Sequence, residues 1–381
     1  MAYDKVVDSA SLDSKLTQVA DAIRTKGNTS ADLQFPSGFI SAIQAIQTGT
    51  ELQIIVTVKS GATVTATKGS KVVSGTAING TCTLTVPEAG TWLVTATLNG
   101  EKSDTKSVTF TDSYALTFYF VSAVLNDNDW ATIKAVSDKG EGANYWSVGD
   151  RKAVTLNGTV GHLTLSNYTT YAFIIGFNHN QELEGTNRIH FQLAKTALSG
   201  GADVCLCDSS YDDSATTTGY FSMNLKRMNS GGWASSQMRT NICGTSLSSY
   251  SGLIIAVIPA ELRATLKSVT KYTDNTGGGS TAASNVTATT DYFFLLSEFE
   301  VFGSISYGNT NEKNKQAQYA YYSAGNSKIK YKYDGTSTTA AWWLRSPDAS
   351  GSTSFVYVNN DGTVNSTASR FSIGFAPGFC V

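Results

Sequence analysis

The first fifty residues carry their apolar positions at helical spacing. Leu12, Leu16, Val19 and Ile23 recur every three or four residues, and Ala20 widens the stripe. Asp13 lies near the positive start of such a helix, and Gly27-Asn28 supplies a stop. Pro36 opens a second helix, where its missing N–H costs little; Phe39, Ile43 and Ile46 form its apolar face and Gly49 ends it. Helices this short are unstable alone. Their stripes are expected to dock on each other, on copies of the chain, or on another protein.

Between residues 51 and 112 the period falls to two. Gln53 to Val58, Ala62 to Thr67, Thr81 to Val86, Thr91 to Leu98 and Lys106 to Phe110 alternate apolar residues with Thr, Ser and Lys. Gly61, Gly69, Gly80, Pro87, Gly90 and Gly100 punctuate them as turns. Short strands at this regular spacing predict a small β-sandwich acting as a spacer. Residues 113–129 are expected to connect it to a long final segment, 130–381, which mixes a few helices with many short strands.

Within that segment, Trp130 to Ser137 predicts a helix capped by Asp127 or Asp129. Pro259 to Leu266 predicts another, with Glu261 complementing its dipole. Leu253 to Ile258 has the length of a strand. Asp274 to Thr290, centred on Gly277-Gly278-Gly279, reads as a flexible exposed insertion. Lys328, Lys330 and Lys332 alternate with Ile329 and Tyr331, as on a strand with one solvated face. The expected class is mostly β with some α.

Composition narrows the function. Charged residues are 15% of the chain, against roughly 25% in an ordinary soluble protein. Ser, Thr, Asn, Gly and Tyr take their place, which suits display outside a cell. Net charge is −2 and no basic cluster stands out, so a nucleic-acid partner is not expected. No apolar run reaches the ~18 residues of a membrane helix, so no membrane insertion is expected. Met1 to Ala20 lacks the basic start and apolar core of a signal peptide. The expectation is a protein made in a cytoplasm and released as part of a virion. The five cysteines, Cys82, Cys205, Cys207, Cys243 and Cys380, form no disulfide ladder and no zinc spacing, and read as buried thiols.

Several motifs carry a resemblance. Ala20-Asp21-Ala22-Ile23-Arg24 and Phe35-Pro36-Ser37-Gly38-Phe39 resemble a module at the start of many phage tail and baseplate proteins. The alternating segment resembles immunoglobulin-like spacers of bacterial and phage surface proteins. Residues 130–381 resemble C-type-lectin-like domains of gut bacteria and their phages, related to the variable proteins of diversity-generating retroelements. The matching residues are Tyr145 to Asp150, Ile175-Gly176-Phe177-Asn178-His179, Gly231-Gly232-Trp233, Met238-Arg239-Thr240 and Ile258-Pro259. They continue through Phe294-Leu295-Leu296-Ser297-Glu298, Glu300-Val301-Phe302-Gly303 and Trp342-Trp343-Leu344-Arg345-Ser346-Pro347. The usual Gly-Val-Arg-Pro-Ala-Phe ending reads Gly374-Phe375-Ala376-Pro377-Gly378-Phe379, so Ala376 stands where an Arg is usual.

In related families the last segment varies and sets ligand choice. Here Trp342, Trp343, Leu344, Arg345, Phe355, Val356, Val358, Val364, Gly374, Pro377 and Phe379 are expected to form a fixed frame. Between them lie Asp348, Ser350, Ser352, Thr353, Tyr357, Asn359, Asn360, Asp361, Asn365, Thr367, Ser369 and Arg370. Short polar groups with a Tyr and an Arg are the vocabulary of adaptable binding faces on a rigid scaffold. The other reading of Asn359-Asn360-Asp361-Gly362 is a plain hairpin turn.

Other chemistry finds little support. Lectin calcium motifs of the Glu-Pro-Asn kind do not occur, and neither Asn126 to Asp129 nor Asp208 with Asp212-Asp213 continues into an EF-hand loop. Solvated loops or helix caps explain these oxygens better. His162, His179 and His190 lack metal spacing, His179 reading as a structural histidine, and no metal or cofactor is expected. Cys205 and Cys207 do not match the cysteine site of formylglycine-generating enzymes, which share the lectin-like fold. Glu298 and Glu300 would share a face on a strand, but they sit inside fold motifs. No catalysis is expected. The resemblance implies a phage tail adhesin with residues 1–50 on other tail proteins. It would be a homo-oligomer, a trimer by tail architecture, and would bind a bacterial surface protein or glycan. The alternatives are a structural tail component without a receptor, and a bacterial surface-type binding protein.

Overall fold

The structure, a computed structural model, describes residues 9–45, 52–103 and 105–381. The chain is mostly β with some α, in several sheets. It divides into two compact units, Met1–Phe120 and Val121–Val381. No described helix is long and apolar enough to cross a membrane.

In the first unit, α1 (Ser9–Gly27) and α2 (Ser37–Ala45) pack through Leu16, Ala20, Ile23 and Leu33 against Phe39 and Ala42. The stripe is narrower than its spacing suggested. Leu12 and Val19 are exposed, and so are Ile40 and Ile43. Ile43 was expected inside, but a nine-residue helix facing one neighbour covers one side only. Ile46 and Gly49 lie outside the described residues.

The alternating segment folds as two sheets. β1 (Leu52–Thr57), β4 (Thr81–Val86) and β8 (Tyr114–Thr117) form one. β2 (Thr63–Lys68), β3 (Lys71–Thr76), β5 (Gly90–Leu98), β6 (Glu101–Lys102) and β7 (Lys106–Phe110) form the other. Ile54, Val56, Val64, Leu84, Val94 and Trp92 fill a shared core. β8 lies in the stretch expected as connection. Its residues pair in parallel with β1, and Phe118 seals the core.

The second unit opens with α3 (Trp130–Asp138), whose Asp129 cap accepts from Thr132 N at 2.7 Å. A sheet in the order β15-β21-β11-β10-β9 forms its centre, from β9 (Arg151–Val160), β10 (Leu163–Phe177), β11 (Ile189–Lys195), β15 (Phe293–Phe294) and β21 (Gly378–Cys380). Trp130 packs edge-on against Phe191 and Phe379 and ties α3 to that sheet. Smaller ladders surround it. β12 (Val204–Cys205) joins β16 (Lys330–Lys332) and β17 (Gly335–Ala340), and β13 (Val269–Asp274) pairs β14 (Val286–Asp291). β18 (Trp342–Pro347), β19 (Ser354–Val358) and β20 (Val364–Ala368) form a three-stranded meander.

Four expectations are corrected. Leu253 to Ile258 is not a strand: Ile254–Val257 is a helical turn. Ile254, Ile255 and Val257 are all buried there, so no alternation distinguishes the two forms. The stretch 274–290 is not a loose insertion. It is the connection and second strand of the β13–β14 hairpin: residues 278–284 are exposed as expected, but the base is tied, Asp274 accepting from Thr276 N and Gly277 N, both at 2.9 Å, and from Asn309 Nδ2 at 2.7 Å. Lys330 is 1% exposed rather than solvated. It lies over the rings of Phe173 and Trp342, which supply an apolar bed with negative faces. Glu298 and Glu300 lie not on a strand but in the helix Glu298–Phe302, which Ser297 and Glu300 open as a capping box.

Candidate functional site

The expected frame is buried. Trp342, Trp343, Leu344, Arg345, Phe355, Val356, Val358 and Phe379 are fully inaccessible; Gly374 and Pro377 are also buried, and Val364 packs partly buried against the same core. The tryptophans satisfy their N–H groups inside, Trp342 Nε1 on Lys328 O and Trp343 Nε1 on Phe221 O, both at 2.9 Å. Neither is available to stack on a ligand. Only glycine fits at 374, where a Cβ would stand 2.3 Å from Cys205 Sγ. Ala376 sits in the core with its carbonyl accepting from Gln192 Nε2 at 3.0 Å.

Arg345 reaches the most heavily charged part of this interior. Its guanidinium grips Glu300, Nη2 to Oε1 at 2.8 Å. Lys271 Nζ bonds Glu300 Oε1 at 3.0 Å, Glu184 Oε2 at 2.6 Å and the Tyr319 hydroxyl at 2.7 Å. Despite burial, the two cations hold Glu300 well below the ordinary carboxylate range. Glu184, desolvated and with one cation to share, is pushed up. His179 stacks on Tyr319 at 3.7 Å, and burial holds its imidazole down to about 3. His179, Glu184 and Glu300 bring ligand atoms within 4.8 Å of one another. The Lys271 ammonium already lies between the two carboxylates, so the cluster is neutralised from within and does not call for a metal.

Glu298 is likewise committed. Its carboxylate accepts from the backbone N–H groups of Tyr307 at 3.2 Å and Gly308 at 2.7 Å. The five cysteines are free and buried.

Apart from Asn365 and Arg370, the polar residues between the frame positions divide into three groups. Asp348 and Ser369 are buried and structural. Asp348 accepts from Ser350 N at 2.8 Å and from Ser366 Oγ at 2.5 Å, and Ser369 Oγ donates to Lys226 O at 2.8 Å. Their inclusion in a binding face is corrected: bulk solvent does not reach them. Ser350, Ser352 and Thr353 lie on the β18–β19 loop. Asn229 clamps that loop, donating from Nδ2 to Asp348 O, Gly351 O and Ser354 O within 3.0 Å. Ser350 and Ser352 are exposed, and residues 350–353 do not line the cleft formed by Tyr357 and Asp361. Asn365 and Arg370 are half-buried.

Tyr357, Asn359, Asn360, Asp361 and Thr367 come together in the third group. They line a cleft of about 490 Å³, a size that suits a small ligand group. β19 and β20 pair Phe355 with Thr367 and Tyr357 with Asn365, which puts Tyr357 and Thr367 on one face of the hairpin. The turn is indeed a hairpin turn, and it is rigid. Asn359 N donates to Thr363 O at 2.7 Å, and Thr363 N donates to Asp361 Oδ1 at 3.0 Å. The Thr363 hydroxyl, 2.6 Å from Asp361 Oδ1, and the Thr363 N–H hold the Asp361 carboxyl below its usual range. Turn and cleft wall are therefore the same element.

The opposite wall comes from residues given no binding role from sequence: Tyr211, Asp212, Ala341, Phe371 and Ile373. Asp208 positions them. It is buried, not solvated, and accepts from Ser372 Oγ at 2.8 Å and Phe221 N at 2.5 Å. Asp212 N then donates to Ser372 O at 2.7 Å, and the Tyr211 hydroxyl accepts from Ala341 N at 2.9 Å. The oxygen-rich run from Asp208 to Asp213 was the available signal. Its use as a wall depends on β-bridges to residues 371–375, about 160 positions away, which no local pattern reveals.

A family model described as a domain of unknown function (DUF6273) matches residues 214–381. The match includes the hairpin and frame but begins just after Tyr211 and Asp212. Among curated proteins, none matches the chain.

Proposed function

We propose that this protein is a binding protein of the phage tail adhesin type, which holds a bacterial surface ligand in the cleft between the β19–β20 hairpin and the Tyr211–Asp212 segment. The observation that carries this reading is the coincidence of two independent patterns. Five of the twelve polar positions singled out between frame residues, Tyr357, Asn359, Asn360, Asp361 and Thr367, line one cavity, and the frame beneath them is buried. A rigid scaffold bearing exposed Asn360 and Asp361 beside half-buried Tyr357, Asn359 and Thr367 separates folding from recognition. A lectin-like assignment for residues 130–381 and an immunoglobulin-like one for the sandwich belong to the same proposal.

The proposed role is binding without turnover. The paired glutamates that suggested hydrolysis are engaged in internal bonds, Glu298 with backbone N–H groups and Glu300 with Lys271 and Arg345. Residues 1–50 are proposed as the attachment and trimerisation segment, supported by the exposed Leu12, Val19, Ile40 and Ile43. Replacing Tyr357, Asn359 and Asn360 together by alanine tests the site. Adsorption to host cells is expected to fall at least tenfold with the fold intact by circular dichroism. Unchanged adsorption would refute it. Arg370→Ala, outside the cleft, is expected to leave adsorption near wild type.

A further inference from the structure

The cleft has a one-sided charge. Asp212 and Asp361 border it, and no lysine, arginine or histidine is among the residues that line it. Its apolar surface is largely aromatic, from Tyr211, Tyr357 and Phe371. Asp212 occupies a backbone position with φ +70°, and no hydrogen bond from a described residue reaches its carboxylate. Asp, like Asn, tolerates that region better than most residues, and here the turn delivers an exposed carboxylate to the rim. Burial pushes the Tyr357 phenol above its ordinary value, and the fields of Asp212 and Asp361 push it the same way. Both carboxylates therefore act on the same point inside the cleft. Lys332 Nζ lies 4.1 Å from the centroid of the Tyr211 ring but does not line the cleft, so Tyr357 and the two carboxylates are the groups left to a bound cation.

We propose that the cleft takes a positively charged nitrogen group, a primary ammonium or a guanidinium, seated between Asp212 and Asp361 against Tyr357. This rests on the reading of the cleft as the ligand face and adds the chemistry of the ligand. A neutral sugar uses aromatic faces and amides but gains little from two unopposed carboxylates. A phosphate or carboxylate ligand is repelled by them. The ammonium or guanidinium has two sources on a bacterial surface: a basic side chain of a protein, or the free amino group of an amino sugar.

The test is a titration of the full chain, followed by ligand-observed NMR at low salt. The probes are N-acetyl-lysine methylamide, N-acetyl-arginine methylamide, glucosamine, N-acetylglucosamine and inorganic phosphate. At least one cationic probe is expected to bind, to weaken at least tenfold in Asp212→Asn and Asp361→Asn, and to weaken again as salt is raised. N-acetylglucosamine and phosphate are expected not to bind. Preference for the amino-acid probes identifies a protein side chain, and preference for glucosamine identifies an amino sugar. Binding of none of the cations, equal binding of N-acetylglucosamine and glucosamine, or unchanged affinity in Asp212→Asn overturns the inference. Asparagine adopts positive φ readily, so that variant keeps its backbone. Host adsorption separates the two levels. Loss in Tyr357→Ala with retention in Asp212→Asn overturns the charge inference and leaves the binding face standing, whereas retention in both overturns the face.

Discussion

Two buried residues make the interior of the second unit sensitive to pH in opposite senses. His179 has an ordinary value of 6.5 and is held at about 3, chiefly by burial. Between those values the unfolded chain takes up a proton that the folded chain refuses. Its contribution is complete above about pH 6.5 and is lost as pH falls, by about 1.4 kcal/mol per unit. Glu312 has an ordinary value of 4.5 and is raised to about 7, again chiefly by burial. Here the folded chain keeps a proton that the unfolded chain releases, so stability is lost as pH rises from about 4.5 to 7. His179→Gln is therefore expected to flatten the acid side of a urea-midpoint profile. Glu312→Gln should lessen the decline toward neutrality, Glu184 supplying the remainder, while retaining an acceptor for Asp274 N, which lies 2.9 Å from Glu312 Oε1. Profiles shifting in the same sense would contradict this account. His179 was legible as a structural histidine, but Glu312 was not, since nothing local marks one glutamate among polar neighbours as buried.

At the scale of the element, the β19–β20 hairpin does two things at once. Its strands continue the frame and its turn lines the cleft. Gly362 makes this possible with φ +85°, and a Cβ there would stand 3.0 Å from Ile329 Cγ1. Gly362→Ala is expected to cost about 1–2 kcal/mol, read as a lower thermal midpoint, and to weaken ligand binding by tilting Asp361. Normal stability and binding together would show that the turn is less constrained than its geometry implies. The hairpin was readable because Phe355 to Val358 and Val364 flank an Asn-Asn-Asp-Gly turn. α3 was readable too, as Trp130 to Ser137 behind a cap at Asp127 or Asp129, of which Asp129 is the one used. The turn Ile254–Val257 and the helix Glu298–Phe302 were not. Both are short and largely buried, so periodicity has too few solvent-facing positions to declare itself.

At the scale of the whole molecule, the two units keep separate hydrophobic cores, one around Trp92 and one around Trp342 and Phe379. Separate cores allow separate folding. A chain beginning at Val121 is expected to fold, to scatter light as a monomer and to retain the cleft. The full chain is expected to scatter as a trimer through α1 and α2, and Ile40→Ser with Ile43→Ser should shift it toward monomer. A full chain that remains monomeric at micromolar concentration would remove the oligomer from the proposal. The division into a helical start, an alternating middle and a mixed remainder was visible in the hydrophobic period. The place where one unit ends was not, because β8 is four residues long and pairs in parallel with a strand some sixty positions earlier.

The clamps around the cleft have a consequence for how this protein can change over generations. Asp208 fixes one wall through Ser372, and Asp348 fixes the β18–β19 loop through Ser350 and Ser366. None of these anchoring side chains faces the cavity. Substitutions at Tyr357, Asn360 or Thr367 therefore leave the bonds that hold the walls in place. On the proposed reading of the cleft as a ligand face, a lineage facing a changing host can explore new ligands at these positions by single steps. Equivalent changes at Asp208 or Asp348 would be eliminated before recognition could be tried.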